Sequence, residues 1–514
     1  MIFISRLYPY WLAIITVSQA LFLSSCLQEH VKTSEFQLED GLEVYEIACE
    51  PLIYDPVAFV CDELGAMYVV EHRGYPDPAE GGKPATREGS IALIQDTNHD
   101  GIYDKRCDFV TGLTYPNGVL AWKGGIFVTC APDIFYFKDT TGDGIADIRE
   151  TVLTGFFDTK TAQIRMSHPT MGLDGLIYIT GGLNGGSVTS PRYPERPAVS
   201  YKSSDGRFDP ESLVFETVSG RSQFGLTFDA FGRRFGCSNR HPVMQAVLEP
   251  GYLNRNPHVL YNETIQNVSK VQSEAVVYPI SGAAITADFI PSLIGRSHQG
   301  TFTSASGIFV LSDESLGSDH LGNFFICESA QSMVQRQVVS PYGPTFQSQI
   351  AQDGVEFLAS KHEWFRPVFL GIGSSPGLYV VDMHRKVIDH PSYVPESMRD
   401  QLDFQSGRDM GRIYRIVKKG IKSKPIPAFD DNQEIVELLN SSSEWMRVTA
   451  FRLLLEKTPE TVAPALHEIA VGGNLPQSRV RAIWMLHHLG ELDLETLAEV
   501  VKDPISGVRE QAIR

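Results

Sequence analysis

The sequence predicts an all-β six-bladed β-propeller followed by a short all-α HEAT-like solenoid, and three observations carry that expectation. A strand tetrad with an aromatic second residue recurs six times, at Tyr68 (MYVV), Phe127 (IFVT), Tyr178 (IYIT), Phe235 (RFGC), Phe325 (FFIC) and Tyr379 (LYVV). The spacings of 59, 51, 57, 90 and 54 residues suit four-stranded blades with long loops better than a solenoid of short repeats. Within this frame DTNHDGIYD (Asp96 to Asp104) and DTTGDGIAD (Asp139 to Asp147) each follow an apolar strand at an offset of 43 residues, so two successive blades share an acidic hairpin loop. After about residue 420 the apolar period becomes helical, and Arg447-x-x-Ala450, Arg479-x-x-Ala482 and Arg509-x-x-Ala512 recur at 32 and 30 residues.

In chain order, residues 1–26 have the layout of a signal peptide: Arg6 precedes an apolar run from Tyr8 to Leu23 that ends in Leu-Ser-Ser-Cys. The run is short for a membrane-spanning helix, and an uncleaved anchor is the alternative reading. The ending resembles the lipobox of bacterial lipoproteins. That resemblance implies lipidation of Cys26, a membrane contact through the lipid anchor, and a place in the bacterial cell envelope facing the periplasm or exterior. Residues 27–49 read as a tether, 50–417 as the propeller, 418–430 as a Lys/Pro linker and 431–514 as the helical repeats, which stop in mid-repeat as though truncated. The 90-residue spacing marks an insertion containing RHPVMQAVLEPGYLNRNP (Arg240 to Pro257), and long propeller loops usually lie over the ligand-binding face. A formal charge of -18 with no basic run disfavours nucleic acid as a partner. The six cysteines beyond Cys26 are scattered without a CxxC pair, so neither zinc nor a redox dithiol is indicated.

Four longer stretches resemble the membrane-bound dehydrogenase domain family, related to soluble enzymes that oxidise glucose and sorbosone with pyrroloquinoline quinone. They are Gly112 to Asp147, FGLTFDAFGRRFGCSN (Phe224 to Asn239), FRPVFLGIGSSPGLYVVD (Phe365 to Asp382) and the closing GRIYRI (Gly411 to Ile416). The resemblance covers roughly residues 45–417. It implies a quinone-dependent oxidoreductase acting on a sugar or related alcohol. Members often continue into HEAT repeats and a c-type haem domain; CxxCH is absent from these residues, so electrons would leave through a separate carrier such as a c-type cytochrome or through a further C-terminal domain.

The same resemblance puts His168, just before the strand-forming turn of the Tyr178 blade, in the role of general base. Such a base takes the alcohol proton while hydride moves to the quinone. Arg221 falls where those enzymes have a cofactor-binding arginine, although Ser222 stands in place of the asparagine that follows it there. Asn239, Arg240 and His241 follow the next strand and are further cofactor-binding candidates, with a plain surface loop as the alternative. Asp139, Thr141, Asp143, Gly144, Asp147 and Glu150 match EF-hand positions 1, 3, 5, 6, 9 and 12, a spacing of oxygen ligands that suits Ca²⁺. Strands flank this loop, so metal-free Asx-rich turns explain it as well. The rival to an enzyme is a non-catalytic binding propeller whose open face and HEAT surface recruit a glycan or a protein.

Overall fold

The computed structural model describes residues 35–76, 87–158, 162–256, 258–261, 263–282, 299–423 and 425–514. Six antiparallel sheets are arranged as six blades. Their innermost strands are Pro56–Cys61, Gly118–Trp122, Ser167–Met171, Gly225–Phe228, Ala305–Val310 and Pro367–Gly371, and each packs beside the next around a closed ring. Every aromatic tetrad forms the second strand of its blade. These strands are buried on both faces between neighbouring blades, so their residues run nearly continuously apolar instead of alternating.

The stretch expected as a tether contributes two strands to the propeller. Leu42–Cys49 pairs with Arg412–Lys418 as the outer strand of the last blade, and Phe36–Leu38 pairs with Leu358–Ser360 on the edge of the blade before it. Ring closure thus joins the first strands of the chain to the last. The blade holding Phe127 has six strands, because Gly186–Thr189 and Val199–Tyr201 cross over from the following blade and cover its outer edge. Covering an edge removes a row of unpaired amides.

The C-terminal segment is helical, with helices at Glu444–Lys457, Ala463–Gly472, Pro476–Leu489 and Ser506–Ile513 among others. Its recurring arginines share one job. Arg447, Arg479 and Arg509 each donate from Nη1 to the carbonyl six residues earlier, on Ser441, Gly473 and Asp503, at 2.6, 2.7 and 2.6 Å. Each therefore ties down the loop that feeds its own helix through a charge-assisted bond. The helices close one end of the propeller channel. Trp445 and Phe451 share a core with Phe59 and Leu120 of the innermost strands. Polar bonds fix the docking: Ser312 N–H donates to Glu444 at 2.7 Å, Glu444 N–H donates to Asp313 at 2.9 Å, and Arg447 donates to the Ser312 carbonyl at 2.6 Å. Arg452 pairs with Glu63 at 2.6 Å.

Among the described residues no helix is long and apolar enough to cross a membrane. The expected lipobox with Cys26 lies outside the described residues.

Candidate functional site at the channel mouth

The turn Gly172-Leu173-Asp174-Gly175 forms as the sequence implies, with the Gly175 N–H on the Gly172 carbonyl and Gly175 at φ +72°. Just before it, the innermost strand bulges. Ser167 pairs with Thr180 and Thr170 with Tyr178, which leaves His168 and Pro169 outside the ladder. Bulges re-aim side chains, and His168 sits at φ +57°, a left-handed conformation that costs a histidine energy and marks functional sites. The neighbouring strand makes room: a Cβ on Gly118 would come within 2.8 Å of the His168 amide nitrogen. The ring centre lies 4.9 Å from that of Phe369, with the planes tilted by 36°. Among the described residues neither of its nitrogens is hydrogen-bonded. Burial alone pushes its pKa down to about 4, so the imidazole is neutral at pH 7.

His168 lines a cavity of about 130 Å³ at the open mouth of the channel, together with His72, Arg165, Asn117, Gln163 and Ser304. His72 follows the Tyr68 strand directly, and its Nδ1 lies 2.9 Å from the Pro116 carbonyl. A carbonyl only accepts, so Nδ1 carries the proton and Nε2 keeps its lone pair. Burial, with the positive charges of Arg165 and Arg385 adding to it, lowers this pKa to about 4 as well. Arg165 is 5% exposed. Its guanidinium lies 5.3 Å from the Tyr115 ring centre, and its Nε and Nη1 have no hydrogen-bond partner among the described residues.

Buried carboxylates at the ends of three second strands hold the loops around this mouth. Glu71 accepts from the Tyr54 amide and the Ser90 hydroxyl, Glu328 from the Thr303 and Ser304 amides, and Asp382 from the Arg366 and His384 amides. Arg366 then donates to four backbone carbonyls, of Ser329, Ala330, Arg385 and Lys386. The strands thus supply fixed anchors, and the mouth is built on them.

The other candidates fall elsewhere. Arg221 is exposed and lines, with His241, a separate open cleft of about 1050 Å³ on the Phe235 blade. Phe224, three residues beyond Arg221, reaches the His168 cavity, so the two spaces belong to one rim. Asn239 is exposed and gives its carbonyl to the Ala305 amide. The Arg240 carbonyl accepts from the Gln272 amide. A second, more apolar cavity of about 260 Å³ lies under the helices, and His168 borders it too.

The acidic hairpin commits its carboxylates to itself. Asp139 accepts from the amides of Thr141, Gly142 and Gly144, Asp147 from Thr140, and Asp143 from Ile145. Glu150 pairs with Arg192 at 2.6 Å. Among the described residues no group of three or more His, Cys, Asp or Glu side chains is arranged to hold a metal ion. As folded, the loop is an Asx-rich turn whose donor set is not arranged as a Ca²⁺ cage.

His72 and Arg165 are the functional candidates that sequence reasoning passed over. A signal for His72 was present, since Glu71-His72 after one tetrad parallels Asp382-Met383-His384 after another.

One family model, described as "Domain of unknown function (DUF7133)", matches residues 28–420. No curated protein matches the chain. Solved structures that resemble it include a luciferin-regenerating enzyme (11% identity, 75% of this chain and 98% of that one, TM-score 0.42). A glucose dehydrogenase-type oxidoreductase from Thermus thermophilus resembles it at 13% identity, 73% and 100% coverage and TM-score 0.41. The pyranose dehydrogenase PQQ domain of Coprinopsis cinerea does so at 12% identity, 74% and 97% coverage and TM-score 0.39.

Proposed function

The chain belongs to the DUF7133 family over residues 28–420, and from the cavity at its channel mouth we propose that it is an oxidoreductase acting on a sugar or related alcohol, with pyrroloquinoline quinone as cofactor. The observation that carries this reading is the meeting of two neutral histidines and a buried arginine in one small cavity. The motif resemblance supports the choice of quinone. A substrate hydroxyl placed against His168 can pass its proton to a ring nitrogen that no described residue occupies. His72, its tautomer fixed by the Pro116 carbonyl, offers Nε2 as a second acceptor that orients the substrate. Val57, Val368, Met383 and Ile388 give that cavity an apolar side, which favours a proton transfer shielded from water.

The residues expected for the cofactor, Arg221 and His241, line a cleft whose size is at the upper end of small-molecule sites, about 300–1000 Å³. An exposed guanidinium there suits carboxylates. When bound, the quinone would supply a two-electron acceptor, and to take the hydride it would have to reach from this cleft past Phe224, which lines the His168 cavity, to the substrate carbon. Reconstitution with pyrroloquinoline quinone, followed by dye reduction across a panel of sugars and alcohols, tests the reading. His168→Ala is expected to lower kcat by about 10²- to 10⁴-fold, the usual loss for a general base, and Arg221→Ala to weaken the cofactor. Quinone-independent behaviour, or full turnover in His168→Ala, would leave a binding propeller as the better account.

The envelope location belongs to the same proposal. A lipid on Cys26 would hold the propeller at a membrane, since two acyl chains suffice where one is marginal. Mature protein labelled with a fatty-acid analogue should lose its label in Cys26→Ala, and retained label would refute the anchor.

A further inference from the structure

We propose that the small molecule taken at the channel mouth carries a carboxylate, as a hexose-sized sugar acid does, and that Arg165 holds it. The inference rests on the reading of this cavity as the substrate site. Arg165 is 5% exposed and cannot shed its charge. Among the described residues its one hydrogen bond runs from Nη2 to the Asp158 carbonyl at 3.3 Å, which leaves the three N–H bonds of Nε and Nη1 without an acceptor there. A buried charge is tolerated when it is paired, and the other buried arginines around the channel are. Arg234 contacts Asp205 at 2.8 Å and Glu249 at 2.6 Å, and Arg385 contacts Asp55 at 2.7 Å. Arg366, with no ion pair within 4 Å among the described residues, is surrounded by four carbonyls instead. Among the described residues Arg165 has no ion pair within 4 Å and a single carbonyl, that of Asp158, whose charge acts on it from farther off, and it faces a cavity.

The rest of the lining describes the other end of the ligand. Gln163 donates from Nε2 to the Tyr75 hydroxyl and the Ile388 carbonyl, so its Oε1 is left as an acceptor. Asn117 accepts from Thr129 at 2.8 Å through Oδ1, so its Nδ2 is left as a donor. With His72 Nε2, these are neutral partners for hydroxyl groups. A cavity of about 130 Å³ is well below the roughly 300 Å³ at which drug-sized ligands begin. It takes one sugar ring, not two. A cationic donor on one side and neutral hydrogen-bonding groups on the other together describe a hydroxylated acid.

The test measures binding to the full chain by calorimetry at low salt, with D-glucuronate, D-glucose and pyrroloquinoline quinone as separate probes. Wild-type protein is expected to prefer glucuronate over glucose by at least about tenfold, the scale of one charge-assisted contact. Arg165→Gln is expected to erase that preference, and Arg165→Lys to recover part of it. Because the variant removes a buried charge that only one long hydrogen bond and the more distant Asp158 charge offset, the ligand-free melting temperature of Arg165→Gln should stay level or rise. A structural arginine would instead lower it, and such a fall would overturn the proposal. So would equal binding of the two sugars in wild type, a glucuronate preference that survives in Arg165→Gln, or quinone as the one probe whose affinity depends on Arg165. If no oxidation is seen but the glucuronate preference depends on Arg165, the dehydrogenase reading fails and the acid-binding site stands.

Discussion

At the scale of single residues, the site depends on burial more than on charge pairing. His168 and His72 have folded pKa values near 4 against an ordinary 6.5, for the same first cause, loss of water around the imidazolium. Two consequences follow in sign. Between pH 4 and 6.5 the unfolded chain binds protons that the folded chain refuses, so the contribution of these histidines to stability is complete above 6.5 and lost as pH falls through about 4. For catalysis, a base already deprotonated at pH 5 keeps working there. The acid limb of the kcat/KM profile is therefore expected near pH 4; a limb near 6.5 would mean that a solvent-exposed group, not His168, takes the proton.

At the scale of elements, the junction between helices and propeller turns on Glu444, the first residue of its helix. Burial raises its pKa to about 7, with the nearby Asp313 carboxylate adding to the effect. A folded pKa above the ordinary 4.5 means that the neutral form is the one the fold prefers. This stabilisation is complete below about 4.5 and lost as pH rises through 7. Glu444→Gln keeps an oxygen for the Ser312 amide and adds a donor beside Asp313. It is expected to melt higher than wild type at pH 8 and no differently at pH 4; melting that responds equally to pH in both proteins would show that Glu444 carries no such load. The apolar cavity beneath this helix is bordered by His168, so the same junction sets the floor of the channel.

At the scale of the whole molecule, the fold was legible where burial repeats itself. All six aromatic tetrads are second strands, enclosed between neighbouring blades, and an enclosed strand leaves a continuous apolar signature. Of the innermost strands, Gly118–Trp122 is as fully buried, but four others are bulged. Their bulges at Pro56, Ser167, Ser306 and Pro367 interrupt the alternation that would mark them. The closing strand Leu42–Cys49 resembled a tether because its partner, Arg412–Lys418, lies at the far end of the chain. The site follows the same logic. His168 was visible through its motif, whereas His72 and Arg165 become neighbours only when the ring closes, and no local pattern announces that. Arg221 lay in a motif too, yet the fold gives it a different cleft.

The central claim is that the small cavity at the channel mouth is where the substrate binds, and a co-crystal with whichever sugar or sugar acid binds in calorimetry tests it most directly. The ligand is expected between His72, Arg165 and His168, with an oxygen within hydrogen-bond reach, about 2.6–3.2 Å, of a His168 ring nitrogen. A ligand bound instead in the Arg221 cleft or under the helices, with the mouth left to water, would contradict the account.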